Sequence, residues 1–192
     1  MEPRRWPRGY VGTDHETIGS TFLSVLAALK TPEQVLGADE VRRMREVDPE
    51  RWYPVGWLLS IMETLDGSVG KNGVLRIGRR RFELSHQKRV SYASARDVVY
   101  GIDEMYRHSN RGREIGGWAV LEFEPGHATL EKTTPHHCMM EQGILSAALS
   151  SAQCPSILTQ SKCFRAGADS CVYVISSSLK DERWSGTAKA ER

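Results

Sequence analysis

The chain has 192 residues, 26 Lys and Arg against 24 Asp and Glu, a formal net charge of +2 and 40% hydrophobic residues. That length and balance suit a single globular domain with a buried core. A charge so near neutral argues against a nucleic-acid binder. No segment has the ~18 consecutive apolar residues of a membrane span, and "MEPRRWPRGY" has no apolar run behind its basic residues. The expected compartment is therefore the cytoplasm, with no membrane partner.

Residues 1–14, rich in Arg, Pro and Gly, and residues 179–192, polar with one tryptophan, read as unstructured ends around one domain at 15–178. A short strand ending near Gly19 leads into a helix over "STFLSVLAALK", where Phe22, Val25, Leu26 and Leu29 recur at helical spacing. "ADEVRRMREV" reads as a short exposed helix. In "YPVGWLLSIMETLDG", Pro54 stands near the first helical position, and Val55, Leu58, Leu59, Met62 and Leu65 share a face. Gly67 is the expected stop. "NGVLRIGRRRFEL" continues as another helix, and its arginines, with Lys88 and Arg89, read as a solvated face. Ser94 caps the next helix, with Asp97 three residues on and Val98, Val99, Ile102, Met105 and Tyr106 as its buried stripe.

The second half changes period. "GGWAVLEFEPGHATLEKTT" gives two strands around Pro125-Gly126. Trp118, Val120 and Glu122 fall on one face, and Ala119, Leu121 and Phe123 on the other. A helix follows from Thr134 as cap and Pro135 in the first turn to about Ser150, then strands near 156–164 and 170–177. Helices followed by β-β-α-β-β predict an α+β fold, a helical N-terminal half packed on a small antiparallel sheet.

The turn in "KCFRAGADSCVYVI" sets Cys163 and Cys171 symmetrically about Gly167. On paired strands such thiols are close enough for a shared metal, a disulfide or plain packing. Four cysteines without an export signal favour reduced thiols or metal ligands over a disulfide framework.

The helix carrying Gly143, the strand entered at Pro155 and the Cys-x-x-x-Gly-Ala-Asp-Ser-Cys hairpin together resemble the 4-vinyl reductase domain over roughly residues 115–177. That domain belongs to the same broad fold group as haem–nitric-oxide-binding sensors and the sensor domains of phenol-responsive activators. The resemblance implies a small-molecule-sensing module, with an apolar or aromatic ligand and output through a homodimer or a separate effector. Its competitors are an enzyme acting on a tetrapyrrole or other conjugated substrate, and a haem-binding gas sensor. No phosphate loop, nucleophile elbow or paired His-Glu metal motif appears, which weighs against a conventional enzyme.

Carried over by position, the resemblance implies zinc on Cys138, Cys163 and Cys171. Gln160 stands where a glutamate ligand is expected, and a neutral amide is a poor zinc ligand. The adjacent His137 or His136 is the candidate fourth donor, and Cys154 is another. Trp118 matches a tryptophan of the phenol-sensor pocket, and Tyr100, Phe123, Tyr106 and Trp57 are expected around the same space. "YASAR" (92–96) fits the Tyr-x-Ser-x-Arg pattern by which haem–nitric-oxide sensors hold propionates. An axial histidine should precede it at some distance, however, and His86 stands only six residues away. Haem is therefore not expected, since an axial ligand is its minimum requirement.

Overall fold

The computed structural model describes residues 14–86 and 91–186, with Pro7 and Tyr10. Lys88 and Arg89, the side chain of His86, and the remainder of both ends lie outside the described residues.

Two short strands each run directly into a helix. β1 (Glu16–Ile18) enters α1 (Gly19–Ala28), and β2 (Trp52–Pro54) enters α4 (Val55–Arg81). Between them lie α2 (Pro32–Leu36) and the short α3 (Ala38–Arg45). The expected stop at Gly67 is not where the helix breaks. Gly67 stays helical, and the break falls at Gly70, whose φ of 66° a side chain would oppose. Past this kink Val74, Ile77 and Arg81 return to one face, and all three are buried. Arg81 therefore leaves the solvated face assigned to the basic run, whereas Arg76, Arg79 and Arg80 are exposed.

A π-helical turn (Phe82–His86) closes α4. α5 (Ala95–Ser109) begins at the expected cap: the Asp97 amide donates to Ser94 Oγ, and Ser94 Oγ–H donates to Asp97 Oδ2. It ends in β3 (Asn110–Arg111), which pairs with β1 in a sheet ordered β2-β1-β3.

The second half forms β4 (Trp118–Glu124), β5 (His127–Lys132), α6 (Cys138–Ser151), β6 (Ile157–Lys162) and β7 (Cys171–Ser176). This is the expected β-β-α-β-β order, in an antiparallel sheet ordered β4-β5-β7-β6. A bulge between Val120 and Glu122 shifts the register of β4 by one residue, so that Phe123 pairs with the buried Ala128. Phe123 thus joins Trp118 and Val120 on the inner face, opposite to strict alternation.

α6 starts three residues later than expected. His137 is its N-cap, with Nδ1 accepting from the Met139 amide, while Thr134 Oγ1 donates to Glu141 Oε2. α6 is pressed against α4 through two glycines. A Cβ at Gly143 would lie 2.1 Å from Leu75 O, and one at Gly78 would lie 2.0 Å from Met140 O. Trp184, assigned to the unstructured end by composition, is fully buried in α7 (Glu182–Ser185). Its ring stacks on Phe123 at 5.4 Å, and Nε1 donates to Glu124 O. No helix among the described residues is long and apolar enough to cross a membrane.

Candidate functional site

Two buried polar groups meet at β5 and the start of α6. The first is a set of three thiols. Cys138 opens α6, Cys163 precedes a single 3₁₀ turn (Phe164–Ala166), and Cys171 opens β7. Cys138 Sγ lies 3.3 Å from Cys171 Sγ and 3.6 Å from Cys163 Sγ, and all three sulfurs fall within 4.8 Å of one another. Cys138 and Cys171 are buried, Cys163 is half-buried, and all three are free thiols. The Cys171 thiol hydrogen-bonds to Cys138 and holds it well below the usual thiol range. Burial opposes this, and the Lys132 ammonium and Gln160 amide reinforce it. Cys171 is pushed up in return. The three sulfurs thus form one hydrogen-bonded cluster at a helix N-terminus, where the helix dipole and Lys132 favour an ionised Cys138.

The structure brings together three of the four sequence-derived metal candidates and turns the fourth aside. His137 is buried, but its Nε2 faces Asp66 Oδ2 at 3.3 Å and its Nδ1 caps α6. Burial first, and then Arg165, lowers its pKa. Asp66 and Glu63 on α4 also bind Arg165, tying the hairpin turn to that helix. Cys154 lies apart, near Ser177.

The second group lines a cavity of about 20 Å³, room for about one water. Its wall is polar on one side, with Arg81, Asn110, His136 and Glu141, and apolar on the other, with Ile102, Met105, Ile144 and Trp118. Asn110 Nδ2 donates to Tyr106 O, which leaves Asn110 Oδ1 to accept from His136 Nε2 at 3.0 Å. This network assigns the proton to Nε2 and a bare lone pair to Nδ1. Nδ1 is buried without a hydrogen-bond partner. Burial, and then the charges of Arg81 and Lys132, depress the His136 pKa well below the ordinary value, so the ring is neutral.

Lys132 joins the two groups. It is wholly buried, donates from Nζ to His136 O at 2.7 Å and lies 3.5 Å from Glu141 Oε2. Burial pulls its pKa down, but Cys138, Glu141 and Cys171 outweigh that and leave it raised. Glu141 is raised mainly by burial, against Lys132, Thr134 and Arg81. Arg81 is lowered to about 10 by burial, against Glu141. Two cations, one carboxyl and the Cys138 sulfur thus share a buried interior.

Of the ligand-binding candidates, Trp118 lines the cavity, with its ring 5.5 Å from Tyr173. Tyr106 lines it as well. Tyr100 and Phe123 do not. Tyr100 is 53% exposed beneath Arg96, and Phe123 packs between Tyr100 and Trp184. Trp57 belongs to a separate stack with Phe22 and Arg43. The YASAR stretch is also accounted for elsewhere. Ser94 caps α5, Arg96 lies over Tyr100 and Phe123, and Tyr92 packs against Gly101.

Composition and motif reading missed Lys132, Arg81, Asn110 and Glu141. The first two carried a signal. Lys132 continues the buried alternation Ala128, Leu130, and Arg81 continues the buried helical spacing of Val74 and Ile77. Asn110 and Glu141 are isolated polar residues whose roles arise only through contacts distant in sequence.

No family model matches the sequence, and no curated protein is similar to it. Solved structures do match over nearly their whole lengths. An H-NOX protein from S. oneidensis in the Fe(II) ligation state matches with a TM-score of 0.65 and 16% identity, covering 87% of this chain and 99% of that one. The S. oneidensis protein in the Fe(II)NO state gives 0.64 and 16%, over 83% and 98%. An Fe(II) unliganded H-NOX protein from K. algicida gives 0.60 and 12%, over 83% and 96%.

This likeness corrects the exclusion of haem. H-NOX domains, the haem–nitric-oxide-binding sensors, share the fold, and a candidate axial histidine need not stand upstream of YASAR. The buried imidazole at the cavity is His136, downstream of α5. The donor chemistry fits iron: a neutral imidazole with a bare nitrogen, beside Met105 and Tyr106. A macrocycle needs far more room than this cavity holds, so the elements around it would have to part to admit one. At these identities the likeness establishes the architecture: the chain has the α+β fold of H-NOX domains.

Proposed function

We propose that the chain is a small-molecule-sensing domain whose receptor is the cavity at His136. The observation that carries this is the unpartnered Nδ1 of a neutral, buried imidazole that lines a cavity, in a fold shared with H-NOX proteins. Buried nitrogens are nearly always satisfied, and a ligand in the cavity would satisfy this one. Haem is the first occupant to test. His136 would be its protein ligand, with Arg81 the buried cation beside it. Bound there, iron would supply the binding of a diatomic gas. The chain's own residues would set the imidazole tautomer through Asn110 and exclude water through Trp118 and Ile144.

The test is to titrate hemin into the purified protein and record absorbance and melting temperature. A saturable Soret band at one equivalent, lost in His136→Ala, is the expected result. No band in the wild-type protein removes haem as occupant. A second reading then applies, carried by Trp118 at the apolar wall, with the Tyr173 ring 5.5 Å from it: a small aromatic ligand bound directly. Melting-temperature shifts with phenol and simple aromatic acids, abolished by Trp118→Ala, would support it. No shift with any probe, for a wild-type protein that melts cooperatively, overturns the sensing reading.

The narrower relation to the 4-vinyl reductase domain belongs to this proposal and rests on the Cys163–Cys171 hairpin. So does signalling through a homodimer or a separate effector, for which sedimentation with and without ligand is the direct measurement.

A further inference from the structure

We infer that Trp57 presents a surface site for a guanidinium group, which the chain's own Arg43 fills and an arginine side chain of a partner protein takes in its place. The site does not rest on the sensing reading, since none of its residues lines the His136 cavity.

Trp57 stands in the first turn of α4, just after β2 runs into the helix. Its ring is fixed from three sides. The fully buried Phe22 of α1 stacks on it at 4.2 Å and 28°, Tyr53 meets it edge-on at 5.9 Å, and its Nε1 donates to Glu40 Oε1 on α3. Tyr53 is held in turn by the Asp48 amide, which donates to its hydroxyl. Phe22 and the Arg43 guanidinium stand at nearly the same distance from the Trp57 ring, 4.2 and 4.1 Å, and so take opposite faces. The outer face is thus fixed, aromatic and flanked by a carboxylate, a combination that attracts a planar cation.

Arg43 is held there by the ring alone. It is exposed, and among the described residues it has no hydrogen-bond or ion-pair partner, whereas its neighbours Arg42 and Arg45 are paired with Asp39 and Glu33. The other stacked arginines are anchored further. Arg111, over Trp52, is bound to Glu16, and Arg96 spans Tyr100 and Phe123. An exposed stack is weak, so competition from Arg43 lowers the affinity of an incoming guanidinium by only about three- to sixfold.

The local charge favours the exchange. Residues 33–51 carry six acidic and four basic side chains. Arg42, Arg45 and Arg51 pair with Asp39, Glu33 and Asp48, which leaves Glu40, Glu46 and Glu50 against Arg43 alone. That surplus is negative and draws a cation toward Trp57. A guanidinium suits the site better than an ammonium, because its plane stacks on the indole and it is less strongly hydrated.

The experiment titrates nitrogen-15-labelled full-length protein with the peptide acetyl-Ala-Arg-Ala-amide and follows the Trp57 indole N–H resonance, assigned by its loss in Trp57→Phe. The expected result is a saturable upfield shift, weaker with lysine in the peptide and absent with citrulline, the neutral isostere. Arg43→Gln, at an exposed position that leaves the fold intact, should tighten binding about three- to sixfold, and Glu40→Gln should weaken it. No saturable shift in either the wild-type or the Arg43→Gln protein, an equal shift with citrulline, or an unchanged affinity in Arg43→Gln each overturns the site. Methylguanidinium that binds more tightly than the peptide overturns the protein partner, since the site would then reject the peptide backbone.

Discussion

The two ends of β4 face the same helix and are closed in different ways. At the Phe123 end, Trp184 stacks on the ring and donates to Glu124 O, and Arg96 lies over Phe123 and Tyr100. At the Trp118 end the strand borders a cavity that the charged Arg81 and Glu141 also line. The Trp118 amide is held by Asp103 Oδ1 on α5, so the backbone is tied while the space beyond the side chain is left unfilled. One end is completed by an aromatic ring from the chain's own C-terminal segment. The other is incomplete, with a bare imidazole nitrogen and no apolar plug. Folding alone satisfies the first, and the second is where the proposed ligand would bind.

The largest effect expected is on the charged wall. Lys132→Met removes the ammonium that faces Glu141 and the Cys138 thiolate, leaving buried negative charge uncompensated. Breaking a buried pair in this way costs about 3–5 kcal/mol. Urea denaturation should show that loss. A variant as stable as the wild type would mean that the interior charges are not linked as described.

Trp184→Ala tests the sealed end. Losing a fully buried tryptophan costs about 3–5 kcal/mol, and the short helix that carries it should place the loss at the lower bound. If Trp184 is only a staple, hemin or aromatic binding at the other end of β4 should survive. Loss of binding at retained cooperativity would show that the two ends are not independent.

How far the sequence foretold this contrast depends on the range of the forces involved. The element order, the Ser94 cap and the proximity of the hairpin cysteines follow from local spacing and turn chemistry, and the structure contains all of them. The positions of Phe123 and Trp184 do not follow in that way. Phe123 changes face because of a bulge, which no alternation pattern announces, and Trp184 is buried by a partner 61 residues earlier. The cavity was harder still. Arg81 comes from α4, Asn110 from β3 and His136 from the loop before α6, and a polar network assembled from three elements leaves no periodic trace. The stop at Gly67 failed for a simpler reason: glycine ends a helix only where the backbone needs positive φ, and here Gly70 takes that conformation.

A smaller effect is expected at the glycine contact that fixes α6, and with it both polar groups, against α4. In a free helix Gly→Ala gains about 1 kcal/mol. At Gly143 the new methyl would meet the Leu75 carbonyl, a backbone atom that cannot rotate away. Overpacking of this kind costs about 1–3 kcal/mol, so Gly143→Ala should be net destabilising. Gly67→Ala, with nothing within 4 Å, should be neutral or stabilising and is the control. The same thermal melts with hemin or phenol would show whether displacing α6 also weakens the receptor.

The smallest effect is a pH dependence, and it isolates the open end. His136 titrates well below the ordinary histidine value because burial, Arg81 and Lys132 all oppose its charge. The unfolded chain therefore binds a proton at this site that the folded chain refuses. Stability from His136 is complete above the unfolded value, near 6.5, and is lost progressively as pH falls below it. His137 is depressed in the same direction and contributes the same sign. His136→Gln should keep a hydrogen bond to Asn110 and remove one of the two contributions, flattening the decline between about pH 6.5 and pH 5. An unchanged slope would mean that His136 is solvated or already charged in the folded protein. The bare Nδ1 would then lose its meaning, because a solvated imidazole has no empty position to offer. A flattened slope in His136→Gln, with a wild-type slope that steepens further when hemin is added, would tie that nitrogen to binding, since a ligand on Nδ1 excludes the proton from the same lone pair.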